Sequence, residues 1–205
     1  MTSPTCEIIN RSRLSWGLLL FFMELLERHN PGSMRHSRQV GRYTQLIARQ
    51  IGWSKEAAFS AYIAGFVHDI GKLAVPGKIL NKFEPFLSPE EWAVVQTHTT
   101  ECRQFISLMP GLVPIMDGPL MHHERWDGQG YPNRMHGTGI PLLARMVAVA
   151  DVYSAMTMPR FYRDANDKDT VLKHLWYQAG RQFDPDLVLA FTQVLGEEIP
   201  TEHKE

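Results

Sequence analysis

The side chains able to do chemistry form one ordered series. It runs His36, then His68-Asp69-Ile70-Gly71-Lys72, then His98, then His122-His123-Glu124-Arg125-Trp126-Asp127-Gly128-Gln129-Gly130-Tyr131-Pro132, and last Asp151. Imidazoles and carboxylates together suit divalent Fe, Mn, Zn or Co and fit Mg or Ca poorly. His68 and Asp69 are sequence neighbours, about 100° apart around a helix, so they suit two roles around one site rather than chelation side by side. A carboxylate can bridge two ions through its two oxygens. With Asp69 as the bridge, His36, His68 and Asp151 can complete one ion, and His98, His122 and His123 the other. Two such ions acidify water near neutral pH and stabilise the charge that develops on phosphoryl oxygens. The chemistry indicated is phosphoester hydrolysis. The set offers no electron sink and no covalent nucleophile, which weakens redox and acyl-transfer readings. Lys72, three residues after Asp69, can reach the same end of the helix and touch a phosphate oxygen or orient the water. Alone it would read as a lysine favoured by a helix C-terminus.

These residues need a rigid frame, and the apolar spacing supplies a helical one. Val40, Tyr43, Ile47 and Ile51 define one helix face, with His36 four residues before Val40. Ser54 is placed to cap a helix running towards His68. Ser88-Pro89-Glu90-Glu91 is a strong start signal, and a single helix is expected from it through Trp92, Val95 and His98 to Cys102 and Phe105. Another is expected from Gly111 or Pro114 to His122. Residues 124–139, with four glycines and Pro132, read as a loop. Pro141 opens a helix that carries Asp151, and two more follow over about 168–180 and 185–196, the last capped by Asp184. No segment alternates with period two, so the fold expected is all-α. Successive ligand groups lie about 24 to 32 residues apart, which is one helical hairpin out and back, so each group returns to the same end of a bundle.

The chain has 205 residues with a net charge of −1. That suits one domain and gives no bulk field to gather a nucleic-acid polymer or an anionic membrane. Cys6 and Cys102 lie far apart, so a reducing, cytoplasmic setting is expected. The apolar run Leu14–Met23 is too short to span a bilayer and continues into Glu24, Glu27 and Arg28 as an amphipathic helix rather than a signal sequence. The expected organisation is an N-terminal extension over 1–33, too short for a sensor, and a hydrolase domain over 34–200. The N-terminal helix could cover the bundle, pair with a second copy or meet a signalling protein.

His68-Asp69-Ile70-Gly71-Lys72 and the run from His122 to Pro132 resemble the two signatures of the HD-GYP domain, a branch of the HD metal-dependent phosphohydrolases. The resemblance covers roughly residues 34–196, including Ile140-Pro141, Ala150-Asp151-Val152-Tyr153 and Gln182-Phe183-Asp184-Pro185. It implies a single HD-type helical bundle with a glycine-rich loop. It implies a phosphodiesterase that opens cyclic di-GMP to pGpG or GMP at two divalent ions, Fe or Mn, with Zn, Co or Ni as other occupants. By the same resemblance the ligands are His36, His68, Asp69 and Asp151 for one ion, and Asp69, His98, His122 and His123 for the other. Asp69 and Lys72 serve catalysis, and Lys72, Gly130, Tyr131, Arg160 and Arg163 bind substrate.

Three positions depart from the pattern. Members with three ions carry a glutamate where this chain has Gly32, so two ions are expected, with Glu24 and Glu27 the nearest carboxylates that could stand in. Ser154 stands where many relatives have aspartate, which would weaken a supporting contact to a ligand. Cys102 stands where relatives often have glycine and is expected to be a packed thiol. Of the remaining residues, Glu124 is expected to orient a ligating histidine and Asp127 to make a turn hydrogen bond. Trp126 is expected as pocket wall or core, and Phe83–Phe86 as packing. His29, His136, His174 and His203 read as surface or helix-end residues. Two other functions fit the sequence: hydrolysis of another cyclic dinucleotide such as cyclic GMP-AMP, and a non-catalytic signalling module that binds a dinucleotide or a partner.

Overall fold

A computed structural model describes residues 16–82, 87–158 and 166–196. The described residues form helices joined by short turns, with no strand among them. Helix α1 (Trp16–His29) buries Leu19, Met23 and Leu26, one stripe at helical spacing. Helix α2 (Ser33–Gln50) follows after Gly32, whose φ of 91° a side chain would resist. Tyr43 of α2 packs edge-on against Tyr153 and Phe191, with ring centroids 5.0 and 5.5 Å away. Helix α3 (Lys55–Val67) starts at Ser54, whose hydroxyl accepts the Ala57 amide at 3.2 Å.

α3 is buried along most of its length, so it forms the bundle's centre. Its close approach to α2 depends on two glycines. A Cβ on Gly65 would stand 2.9 Å from the Val40 carbonyl oxygen, and one on Gly41 would stand 2.7 Å from that of Tyr62. After α3 the chain enters a tight 3₁₀ turn, Ile70–Ala74, and a short helix α4 (Gly77–Leu80).

The single helix expected after Ser88 is divided in two. Helix α5 (Pro89–Gln96) opens with the capping box of Ser88 and Glu91, and α6 runs His98–Ser107. The break has a local cause. The Thr97 hydroxyl takes the Val94 carbonyl at 2.8 Å, His98 Nδ1 takes that of Val95 at 2.7 Å and the Thr99 hydroxyl that of Gln96 at 3.0 Å. Three consecutive carbonyls are thus engaged by side chains at this join. His98 becomes the first residue of α6 instead of a mid-helix position.

The helix expected before His122 is also different: a 3₁₀ segment, Pro110–Ile115, precedes a short α7 (Asp117–Met121). Pro114 and Pro119 each remove an amide donor there. Helices α8 (Leu142–Thr157), α9 (Lys168–Tyr177) and α10 (Pro185–Val194) end where the sequence leads one to expect, within a few residues. One continuous apolar core joins α1, α2, α3, α6, α7, α8, α9 and α10. Cys102 lies fully buried in it, and burial pushes its thiol up to about 12, so it is an inert packing group.

Candidate metal centre

The candidate ligand side chains come from five places in the chain and meet at one end of the bundle. His36 stands at the end of the first turn of α2. His68 and Asp69 sit where α3 gives way to the 3₁₀ turn. His98 opens α6, His122 and His123 follow α7, and Asp151 lies in the second half of α8. Among the described residues, three triads bring ligand atoms within 4.8 Å of one another: His36, His68 and Asp69; His98, His122 and His123; and His68, His122 and Asp151. The third triad spans the two groups expected from sequence, so they form one continuous centre.

Asp69 stands between the groups. Its Oδ2 lies 3.3 Å from His68 Nε2 and its Oδ1 lies 3.5 Å from His98 Nε2. Lys72 Nζ donates to the same Oδ2 at 2.6 Å and is 24% exposed at its side chain, so it forms the open edge of the centre. His36 Nε2 is 2.9 Å from Asp151 Oδ1, and His68 Nε2 is 3.7 Å from that same oxygen. His98 Nε2 and His122 Nε2 face each other at 3.5 Å.

The backbone decides which ring nitrogen faces inward. His68 Nδ1 lies 2.8 Å from the Gly65 carbonyl, His98 Nδ1 2.7 Å from that of Val95 and His122 Nδ1 2.7 Å from that of Pro119, each three residues back. A carbonyl only accepts, so Nδ1 must carry the proton and the neutral ring presents a lone pair at Nε2. His36 differs, because its Nδ1 meets the Ser154 hydroxyl at 3.0 Å. Ser154 therefore does support His36, through a neutral hydroxyl.

These groups fit divalent ions. Buried His68 Nε2 has no hydrogen-bond partner although two carboxylates stand close by. A lone pair facing carboxylate oxygens is relieved only by a proton or a metal cation. In the metal-free chain, burial pulls the His68 imidazole down, yet Asp69 and Asp151 outweigh it and the pKa is raised. Burial opposes ionisation of Asp69 too, but His68, Lys72 and His98 hold it well below the carboxylate range. Asp151 is likewise lowered, chiefly by its hydrogen bond with His36 acting against burial. Burial lowers His98 to about 4 and His123 to about 3, and His122 also falls well below the usual value through burial and the neighbouring rings. Neutral His98, His122 and His123 beside ionised Asp69 and Asp151 are in the protonation states that ligation requires, and an ion would take the place of the proton that His68 holds.

The glycine loop is fastened against the centre. A Cβ on Gly130 would lie 2.4 Å from the Arg125 nitrogen and 2.5 Å from the His123 carbonyl oxygen, so only glycine fits there. Tyr131 donates its amide to the His123 carbonyl at 3.2 Å and stacks its ring on the His123 imidazole at 4.9 Å. Glu124 corrects a sequence expectation. Its buried carboxylate accepts the amides of Asn133 at 2.6 Å and Met135 at 2.9 Å, so it staples the loop rather than orienting a histidine. Asp127 makes the expected turn bond, accepting the Gln129 amide at 3.0 Å. Trp126, with Met135, His136 and Gly137–Gly139, lines a shallow concavity of about 520 Å³ formed by the loop itself. The Arg145 guanidinium, paired with Asp184, lies 5.7 Å from the Trp126 ring centre.

Glu27 is already engaged. Its two oxygens accept the amides of Gly32 at 3.0 Å and Met34 at 2.7 Å, capping α2. Glu24 faces outward and pairs with Arg28 at 3.4 Å. His29 Nε2 reaches the Val75 carbonyl at 2.7 Å, tying α1 to the turn after Lys72. Arg160, Arg163, Phe83–Phe86 and His203 lie outside the described residues. Sequence reasoning gave no sign of Gln39, which touches Ser154 (Oγ to Oε1, 3.3 Å) behind His36; three-residue spacing from His36 was the only available signal.

Comparison with known proteins agrees with this architecture. The HD domain family profile matches residues 21–187. The chain is 32% identical over 160 residues to the 3'3'-cGAMP-specific phosphodiesterase 1 of Vibrio cholerae, covering 77% of this chain and 37% of that protein. It is 37% identical over 201 residues to the cyclic di-GMP phosphodiesterase PA4108 of Pseudomonas aeruginosa, covering 95% of this chain and 47% of that protein. The chain therefore spans less than half the length of either relative. A solved cyclic GMP-AMP phosphodiesterase of V. cholerae, V-cGAP3, superposes with a TM-score of 0.62 at 18% identity, over 87% of this chain and 48% of that one.

Proposed function

Because this chain belongs to the HD domain family, in its HD-GYP branch, we propose that it is a metal-dependent phosphodiesterase hydrolysing cyclic di-GMP. The observation that carries the reading is Asp69, whose two oxygens face histidines from opposite halves of one buried cluster. We assign His36, His68, Asp69 and Asp151 to one divalent ion and Asp69, His98, His122 and His123 to a second. Fe and Mn are the preferred occupants, with Zn, Co or Ni compatible with the same donors. Ions held there supply polarisation of the phosphoryl group and acidification of the attacking water.

The chain's own residues do the rest. The carbonyls of Gly65, Val95 and Pro119 fix three imidazoles with Nε2 inward. Lys72, at the open edge, is placed to meet a phosphate oxygen in exchange for part of its bond to Asp69. Tyr131, held on His123, offers a ring face to a purine base, and Gly130 lets the loop lie close. Arg160 and Arg163 are assigned to the dinucleotide's phosphates or guanine edges. Gly32 and the engagement of Glu27 support two ions rather than three. The hydrolase domain is taken as residues 34–200, with 1–33 as an extension of which α1 packs on the core. Among the described residues no helix is long and apolar enough to cross a membrane, and we place the chain in the cytoplasm.

The test is hydrolysis by purified chain loaded with Fe(II) or Mn(II) without air, with cyclic di-GMP and 3'3'-cGAMP offered separately and pGpG and GMP resolved. Faster cleavage of cyclic GMP-AMP moves the assignment to that dinucleotide, a reading favoured by the relative specific for it. No cleavage of either, in protein shown to hold metal, leaves the chain as a non-catalytic dinucleotide-binding module.

A further inference from the structure

His68, His98 and His122 are oriented by main-chain carbonyls at Nδ1, whereas Nδ1 of His36 meets a side chain. Its Nδ1 lies 3.0 Å from Ser154 Oγ, and that hydroxyl lies 3.3 Å from Gln39 Oε1. Ser154 is fully buried. A hydroxyl can donate or accept, so by itself it does not choose the tautomer of the ring it touches. If it donates to Nδ1, the proton of neutral His36 must sit on Nε2, which faces Asp151 Oδ1 at 2.9 Å, and the ring cannot ligate. If it accepts from Nδ1–H, Nε2 is a free donor atom. The direction depends on where the Ser154 proton goes. Gln39 Oε1 gives it an acceptor on the side away from His36, and Met158 Sδ at 3.5 Å is a much weaker one.

We propose that Gln39 and Ser154 form a two-step hydrogen-bond relay, Gln39 Oε1 accepting from Ser154 and Ser154 accepting from His36 Nδ1–H, that sets the His36 tautomer for metal ligation. Gln39 and Ser154 are positioning residues in this arrangement. The inference rests on the metal-centre reading above. It adds an asymmetry: His36 is oriented through two replaceable side chains, whereas His68, His98 and His122 are oriented by backbone carbonyls. The affinity of the ion at the His36 end therefore depends on Gln39 and Ser154, and that of the other ion does not.

Stepwise titration of the metal-free chain with Co(II) alone tests this, following visible absorption bands and competition with a chromophoric chelator. Outer hydrogen bonds to metal-bound histidines are worth about 10- to 100-fold in affinity. Ser154→Ala should weaken one of two ions by that factor and leave the other, with its spectrum, unchanged. Gln39→Ala should act in the same direction to a smaller extent. Gln39→Glu, which can only accept from Ser154 when ionised, should match or exceed the wild type. Thermal melting of the metal-free variants checks that they fold. Gln39 is not a ligand and is only half-buried, so its pair of variants decides the matter if Ser154→Ala melts early. Wild-type protein that binds no Co(II) overturns the metal-centre reading and the relay together. Wild type that binds two ions, with both affinities unchanged in Ser154→Ala and Gln39→Ala or reduced equally, overturns the relay alone.

Discussion

Gly71 and His98 are in such close contact that a Cβ on Gly71 would sit 1.9 Å from the His98 carbonyl oxygen and 2.7 Å from the Cys102 nitrogen. The glycine between Asp69 and Lys72 is therefore what lets the 3₁₀ turn lie against α6. Across the same contact Asp69 Oδ1 faces His98 Nε2 at 3.5 Å. Gly71→Ala should force the two segments apart and destabilise the fold by about 1–3 kcal/mol or more, as overpacking does. It should also weaken the ion shared by Asp69 and His98. An unchanged urea midpoint together with unchanged metal content would show that the turn yields freely and that the contact does not set the site.

Asp69→Asn tests the bridge. The amide keeps the size of the side chain but can present only one oxygen, and it withdraws the charge that Lys72 and His68 pair with. Metal content measured by elemental analysis should drop from two ions per chain, and turnover should fall by more than the about 100-fold that loss of an outer contact costs. Retention of both ions and of hydrolysis would remove Asp69 from the bridging position.

Glu124→Ala should free the glycine loop without touching a ligand atom. Two buried or half-buried amides, of Asn133 and Met135, lose their acceptor, a loss worth about 1–3 kcal/mol. Hydrogen exchange should quicken at those two amides. KM for the dinucleotide should rise while metal content stays at the wild-type value. A fall in metal content with unchanged amide exchange would instead restore Glu124 as a support for a ligating histidine.

The metal-free chain should lose stability as the solution is acidified from neutrality. Burial pulls the His98 pKa from 6.5 to about 4 against the attraction of Asp69. The unfolded chain takes up that proton near 6.5 and the folded chain only near 4. Between those values the unfolded state binds more protons, and each pH unit of acidification costs up to about 1.4 kcal/mol from this residue. His68, whose pKa is raised, works the other way. Its share is present below its unfolded value and is lost as pH rises through the folded one. Urea unfolding from pH 7 to 4 of chelator-treated wild type and His98→Gln isolates the first contribution: the variant should show the shallower decline. Parallel curves for the two proteins would contradict the assignment of a depressed His98.

Sequence alone determined the donor set and most of the frame. The donor types in His68-Asp69 and His122-His123 are fixed by residue identity, and their return at hairpin intervals follows from helical periodicity. The caps at Ser54, Ser88 and Asp184 lie in local sequence, where a side chain answers amides two or three residues away. Relations between distant segments were not legible. Spacing did not show that the Thr97 hydroxyl and His98 ring would take the carbonyls behind them and divide α5 from α6, because side-chain and backbone donors compete closely for the same carbonyls at that point. Nothing in Glu124 distinguished a partner among the histidines from one nine residues on in its own loop. Ser154 looked like a lost carboxylate until the fold set it between His36 and Gln39, 118 and 115 residues away in the chain. Only the packing of α2 against α8 decides that contact. A hydroxyl's role as donor or acceptor belongs to its surroundings and not to the residue.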